Sequence, residues 1–181
     1  MAMNERLIHE FKSAIRNIPD FPRKGIMFKD LTTLFRNRVL LGTLIEVLYD
    51  YYRDLGITRV VGIESRGFIA GSALAVKLGA GFVPIRKPGK LPAGSYRKEY
   101  SLEYGSDAVE IHKDALDDGD IVLLHDDLLA TGGTSRAALD LIRLFPVKKI
   151  YINFIVELKF LNGRQLFTSP EDIYSVISYE A

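Results

Sequence analysis

The sequence contains no cysteine. Disulfides, thiolate metal sites and a cysteine nucleophile are thereby excluded, and an intracellular, cytoplasmic setting is the expectation. It has almost no net charge either, +1 over 181 residues. Proteins that bind nucleic-acid phosphates usually carry a basic excess or a basic face, so nucleic acid is not an expected partner. No apolar run approaches the roughly 20 residues that cross a bilayer, so no membrane association is expected. The N-terminal MAMNERLIHEFKSAIRN mixes charged and apolar residues too finely for a secretory signal. Repeats, low-complexity tracts and linkers are absent as well.

What is present is a globular composition, 48% hydrophobic and 26% charged. The length suits one domain spanning 1–181, large enough to bury a core that holds a rigid site.

Leu7, Ile8, Phe11, Ala14, Ile15 and Ile18 recur at helical spacing, which predicts an amphipathic helix stopped by Pro19. PDFPRKGIMFKD reads as an ordered loop. A second helix is predicted over 39–52, and strands over 59–63, 81–85, 120–124, 149–156 and 173–177. Helices are predicted over 67–78, 134–145 and 160–167, and a hairpin over 99–112 turning at Gly105-Ser106-Asp107. Strands that alternate with helices imply βαβ units and a parallel sheet covered on both faces. Ligands of such sheets bind beyond the carboxyl ends of the strands. Glu64-Ser65-Arg66-Gly67 and the segment Asp126 to Thr134 both fall there.

The second segment carries the chemistry. An apolar strand leads into two carboxylates, Asp126 and Asp127, then Leu128-Leu129-Ala130-Thr131-Gly132-Gly133-Thr134 opens a helix. Glycine lets backbone N–H groups approach an anion, and a helix N-terminus holds a phosphate with its free donors and dipole. Thr131 and Thr134 add hydroxyls, and the acids can accept hydrogen bonds from ribose hydroxyls or from Mg²⁺-bound water. Neither GxxxxGK[ST] nor GxGxxG occurs, so this is a mononucleotide-type cradle. A bare TGGT would more often be an ordinary turn and cap; the acid pair behind a buried strand favours function.

The string DDLLATGGT resembles the phosphoribosyl pyrophosphate signature of type I phosphoribosyltransferases, and in particular the adenine phosphoribosyltransferase family. FPRKGIMFKD, ESRGF, RKPGKLP and YSLEYG resemble further blocks of that family in the expected order, so the likeness covers nearly the whole chain. It implies an α/β fold with a mostly parallel twisted sheet flanked by helices, a small hood and a flexible hairpin lid. It also implies transfer of 5-phosphoribose from phosphoribosyl pyrophosphate to adenine, giving AMP and pyrophosphate. Mg²⁺ would be bound through substrate and water, with no metal ligands from the chain, and the protein would be a homodimer.

Residue by residue, the resemblance puts Asp126 and Asp127 on the ribose and Ala130, Thr131, Gly132, Gly133 and Thr134 on the 5-phosphate. Arg66 is placed on the pyrophosphate, in a loop that often holds a non-proline cis peptide. Arg86, Lys87 and Lys90 neutralise the pyrophosphate, with contacts reaching a neighbouring subunit; by composition alone a solvated basic loop is as good a reading. Glu103 becomes the general acid or base at the purine, with Tyr100 and Tyr104 nearby either closing over the site or simply packing. Phe28 stacks on one purine face, backbone groups of Met27 and Lys29 read its edge, and Leu161 covers the other face. Lys24 stands where the family often has proline, and His125 where an aliphatic residue is usual; a partly buried strand-end residue is the reading for His125. His9 and His112 read as structural or exposed. Two rivals stay open: a different base (xanthine, hypoxanthine-guanine or orotate), and a ligand-sensing regulator on the same fold.

The Glu103 assignment predicts that Glu103→Gln lowers turnover more than it weakens substrate binding. Steady-state kinetics beside direct binding checks this; a loss in binding with turnover intact contradicts it.

Overall fold

Asn4 starts the first helix by accepting the Leu7 N–H at 2.9 Å, satisfying one of the free donors of the first turn. The computed structural model describes residues 4–101, 106–167 and 173–181. It divides into two compact units, Met1–Tyr51 and Tyr52–Ala181.

In the first unit, α1 (Glu5–Ala14) buries Leu7 and Phe11. It ends earlier than the periodicity predicts. Ile15 is extended, and β1 (Arg16–Ile18) pairs antiparallel with β2 (Phe28–Asp30), inside the stretch expected to be loop. The cause is a set of long-range partners. The Thr33 hydroxyl donates to the Ala14 carbonyl at 2.6 Å and accepts the Arg16 N–H at 3.2 Å. The Arg16 guanidinium grips Asp30 at 2.5 and 3.1 Å. That hydrogen bond, followed by the one from Thr32, holds the Asp30 carboxyl down to about 2. Helix α2 (Thr32–Arg36) follows, and then α3 (Arg38–Tyr52), opened by Asn37, whose Oδ1 accepts the Val39 and Leu40 N–H groups.

The second unit carries β3 (Arg59–Ile63), α4 (Gly67–Leu78) and β4 (Gly81–Ile85). The hairpin arms β5 (Ser95–Ser101) and β6 (Ser106–His112) come next. They are followed by β7 (Ile121–Leu129), α5 (Gly133–Ile142) and β8 (Lys149–Leu158). Two 3-10 turns, Lys159–Leu161 and Gly163–Leu166, stand where one short helix is predicted, and β9 (Ile173–Tyr179) completes the unit. Five strands form one sheet in the order β4-β3-β7-β8-β9, every neighbouring pair parallel, as the alternating pattern predicts. Pro84, which has no N–H to give a ladder, sits on the edge strand β4.

The strands run as apolar stretches because both faces are covered: Val61, Leu124, Ile152 and Phe154 are all buried. Ala138, Leu139 and Ile142 of α5 join this core, and Ala70 and Leu74 are the buried residues of α4. Alanine and glycine let α4 lie close to the sheet. A β-carbon on Gly71 would come within 3.2 Å of the His125 ring.

Chain order reverses between β3 and β7. From β3 the chain crosses outward to β4, whereas from β7 it crosses the other way to β8 and β9. The crevice beyond those two strands is the switch point at which such sheets bind ligands.

Two boundaries correct the sequence reading. The central strand does not stop before the acids; β7 runs through Asp126 and Asp127 to Leu129, because β8 offers a matching ladder as far as Glu157. Ser106 and Asp107 lie in the arm β6 opposite Ser101 and Tyr100 rather than in the turn.

His125 is wholly buried within β7 rather than partly buried at a strand end. Burial pulls its pKa down to about 4, against the upward effect of its 2.7 Å hydrogen bond to Asn153. The folded state therefore keeps it neutral while the unfolded chain takes up a proton below about 6.5. Stability from this residue is present above that pH and lost as pH falls toward 4, by roughly 3 kcal/mol in total. His125→Leu should flatten the wild-type slope of unfolding free energy between those pH values, as read by denaturant titrations.

Candidate active site

Immediately after β3 the chain turns through a cis Glu64–Ser65 peptide into Arg66, the residue preceding α4. Arg66 Nε lies 2.6 Å from Asp127 Oδ2, and Nη2 lies 3.5 Å from Oδ1. Asp126 Oδ1 accepts the Asp127 N–H at 2.8 Å. These contacts join the turn after β3 to the acid pair across the switch point. Gly67 makes the approach possible: a β-carbon there would stand 3.0 Å from the His125 carbonyl and 3.1 Å from Asp126 Oδ1.

Burial, and then the charge of Asp127, push the Asp126 carboxyl well above the usual carboxylate range. Burial also raises Asp127, opposed chiefly by Arg66. Asp127 Oδ2, although close to Arg66 Nε, lacks a well-formed hydrogen bond and is open to a donor from outside the chain.

Beyond β7, Ala130 and Thr131 lead to Gly132, whose φ of +83° belongs to the left-handed region that favours glycine. The Arg136 N–H then bonds the Gly132 carbonyl at 2.9 Å as α5 begins. No side chain caps this helix among the described residues, which leaves its first-turn N–H groups without a side-chain acceptor. Thr131 is exposed and Thr134 half-buried beside them.

A residue that the sequence reading passed over shapes this cradle. A β-carbon on Gly163 would fall 2.1 Å from the Ala130 carbonyl and 3.0 Å from the Gly132 nitrogen. A β-carbon on Gly132 would fall 2.7 Å from the Gly163 carbonyl. The two glycines interlock backbone to backbone, and the Arg136 guanidinium adds a 2.8 Å bond to the Leu166 carbonyl. The turn that carries Leu161, itself exposed, is thus braced against the cradle. The Asn-Gly pair in FLNGR signals a turn but says nothing of what lies against it.

The basic loop is held by carboxylates. Arg86 pairs with Glu64 at 3.2 and 3.3 Å, and Glu64 Oε2 also accepts the Lys87 N–H at 2.9 Å. Hydrogen bonds from Arg86, then from that N–H, hold the Glu64 carboxyl below its usual value. Glu110 Oε2 accepts the Gly89 N–H, and the Lys90 carbonyl accepts from Arg86 Nη1. Lys90 is exposed. The ammonium of Lys87 contacts Asp107 and the Tyr100 hydroxyl. Arg86, Lys87 and Arg66 are therefore joined to one frame through Glu64 and the turn after β3.

Met27, Phe28 and Lys29 belong to the first unit. Met27 is exposed, Phe28 packs edge-on against Phe21 with ring centres 5.0 Å apart, and Lys29 Nζ donates to Asn17 at 2.8 Å. Glu103 and Tyr104 lie outside the described residues.

The phosphoribosyl transferase domain family matches residues 31–161. The adenine phosphoribosyltransferase of Bacteroides fragilis is 59% identical over 91% of this chain and 94% of its own length. The chain belongs to the adenine phosphoribosyltransferase family. Among solved members, the enzyme from Rhodothermus marinus superposes with a TM-score of 0.91 at 44% identity, covering 97% of this chain and all of that one. The Saccharomyces cerevisiae member, complexed with an imino-altritol bisphosphate and adenine, gives 0.89 at 39% identity over 96% of this chain and 100% of that one.

Gly163→Ala forces the cradle backbone apart. It should cost roughly 1–3 kcal/mol in unfolding free energy, the usual penalty for overpacking. It should also weaken AMP binding more than adenine binding, measured by calorimetry.

Proposed function

We propose that this chain transfers 5-phosphoribose from phosphoribosyl pyrophosphate to adenine, releasing pyrophosphate and AMP. The observation that carries the reading is the succession at the end of β7: an acid pair in the strand, a left-handed Gly132, and the uncapped N-terminus of α5. Family membership, with a close relative named for this activity, supports the choice of adenine.

In this mechanism Ala130 to Thr134 grip the 5-phosphate with backbone N–H groups and threonine hydroxyls. Asp126 and Asp127 accept the ribose hydroxyls, one of which satisfies the otherwise unbonded Asp127 Oδ2. Arg66 faces the pyrophosphate from the turn after β3, with Arg86, Lys87 and Lys90 supplying further positive charge. The bond from the anomeric carbon to the pyrophosphate oxygen breaks as the bond to the adenine nitrogen forms, and positive charge develops on the sugar. Catalysis is then positioning plus electrostatic stabilisation of the leaving group. Glu103 exchanges a proton with the base. Phe28, the backbone of Met27 and Lys29, and Leu161 have their adenine-recognition roles by resemblance.

Mg²⁺ fits as an ion carried by the diphosphate, because it dehydrates reluctantly and Asp126 and Asp127 offer carboxylate acceptors for its waters. When bound, it neutralises the leaving group's charge. We further infer that residues 1–181 work as one functional domain in a cytoplasmic homodimer. The family resemblance supports the dimer, and the lack of cysteine suits a reducing compartment. No helix among the described residues is long and apolar enough to cross a membrane.

The purified protein, given Mg²⁺ and phosphoribosyl pyrophosphate, should form AMP from adenine and show far less product with guanine, hypoxanthine or xanthine. Chromatographic product analysis checks it. No AMP from adenine sinks the assignment; binding of phosphoribosyl pyrophosphate with no turnover of any base points to a sensor.

A further inference from the structure

Lys87 is engaged at both ends. Its backbone N–H reaches Glu64 in the turn that carries Arg66. Its ammonium reaches the hairpin, where it contacts the Asp107 carboxylate and donates to the Tyr100 hydroxyl at 3.1 Å. Tyr100 and Asp107 face each other across the two arms, and the Tyr100 hydroxyl donates to Asp107 Oδ2 at 3.2 Å. The three groups close a triangle in which the tyrosine hydroxyl both donates and accepts.

An ammonium has three N–H donors, and two of them are spent in this triangle. Its charge is matched as well. Burial works against the Lys87 charge, but the hydrogen bonds to Asp107 and Tyr100 outweigh it and raise its pKa. The bond from Lys87 in turn holds Asp107 below its usual value. Both groups are ionised near neutral pH. A diphosphate arriving at the turn after β3 therefore meets a lysine already neutralised by its own chain. It must either draw the ammonium away or accept the Asp107 charge beside it.

We propose that Asp107 is a positioning residue that competes with the diphosphate for the Lys87 ammonium and so keeps pyrophosphate loosely held. The inference rests on the reading above that this site binds a diphosphate. As pyrophosphate departs, Asp107 takes the cation back, and the hairpin arms are tied to the basic loop again. The family's own blocks do not draw attention to this residue: it lies just past YSLEYG, in a stretch that sequence alone reads as turn.

Asp107→Asn is the direct test. Asp107 Oδ1 accepts the Ala108 N–H at 2.7 Å, a bond that asparagine can keep while the charge is lost. Calorimetric titration with pyrophosphate and Mg²⁺ is run on wild type, Asp107→Asn, Lys87→Met and the double variant. Asp107→Asn should bind pyrophosphate roughly two- to fivefold more tightly, the worth of a part-exposed ion pair. In the Lys87→Met background the same change should do nothing, since the coupling runs through the ammonium. Unchanged or weaker binding in Asp107→Asn overturns the proposal, as does equal tightening without the lysine. Tyr100→Phe, which removes the shared hydroxyl and keeps the ring, should tighten binding by a smaller factor and guards against a folding defect at position 107. If wild type itself binds no pyrophosphate, the diphosphate reading fails rather than the role of Asp107.

Discussion

Two adjacent carboxylates at the end of a central strand are a costly arrangement, and much of the second unit is built to tolerate it. Asp126 and Asp127 are both driven upward in pKa by burial, and the charge of one disfavours the charge of the other. Arg66 answers with a 2.6 Å ion pair, but it reaches Asp127 only because α4 begins right against β7. That approach needs glycine at 67, where any side chain would strike the His125 carbonyl and the Asp126 carboxylate. It is also why Gly71 follows one turn later, against the His125 ring. The close helix, the arginine and the acids form one unit, in which each depends on the others for its place.

The fold of the second unit was largely legible because its signals are local. Buried parallel strands read as short apolar runs, and β3, β4 and β8 stand where such runs occur. Composition also carries the packing of α4, since GFIAGSALAVKL is too small-sided for anything but a close helix. Errors fall where a distant partner decides. Nothing near Ile15 says that Thr33 will take the Ala14 carbonyl and end α1. The pairing of Arg16 with Asp30 makes a strand of residues whose neighbours, rich in proline and glycine, read as loop. The acids of β7 look like strand breakers until β8 supplies a ladder for them.

The sequence speaks to the chemistry proposed for the site and not to its bracing. Acids, glycines and threonines in a fixed order are the basis for proposing a phosphate and a ribose there, because each residue type has a reason to be present. Gly163 has no such signature. Its importance is a backbone approach to Ala130 and Gly132, made across more than thirty positions of chain by the return through α5 and β8. Glu64 was visible as part of a loop, but its hold on Arg86 and the Lys87 N–H depends on β4 lying beside β3. Parallel pairing creates that juxtaposition; spacing along the chain does not encode it.

The basic loop shows why charge counted along a sequence misleads about charge available to a ligand. RKPGK places three cations within five positions, which suggests a strong anion trap. In the fold, Glu64 answers Arg86 and Asp107 answers Lys87, while Glu110 fixes the loop through the Gly89 N–H. A loop of unanswered cations would hold a diphosphate whether it entered as substrate or left as product. Giving each of the two innermost cations a carboxylate of its own makes binding an exchange of partners instead of a simple capture. An exchange of nearly equal partners is easily reversed, which is what a transfer reaction needs at the step where its leaving group departs.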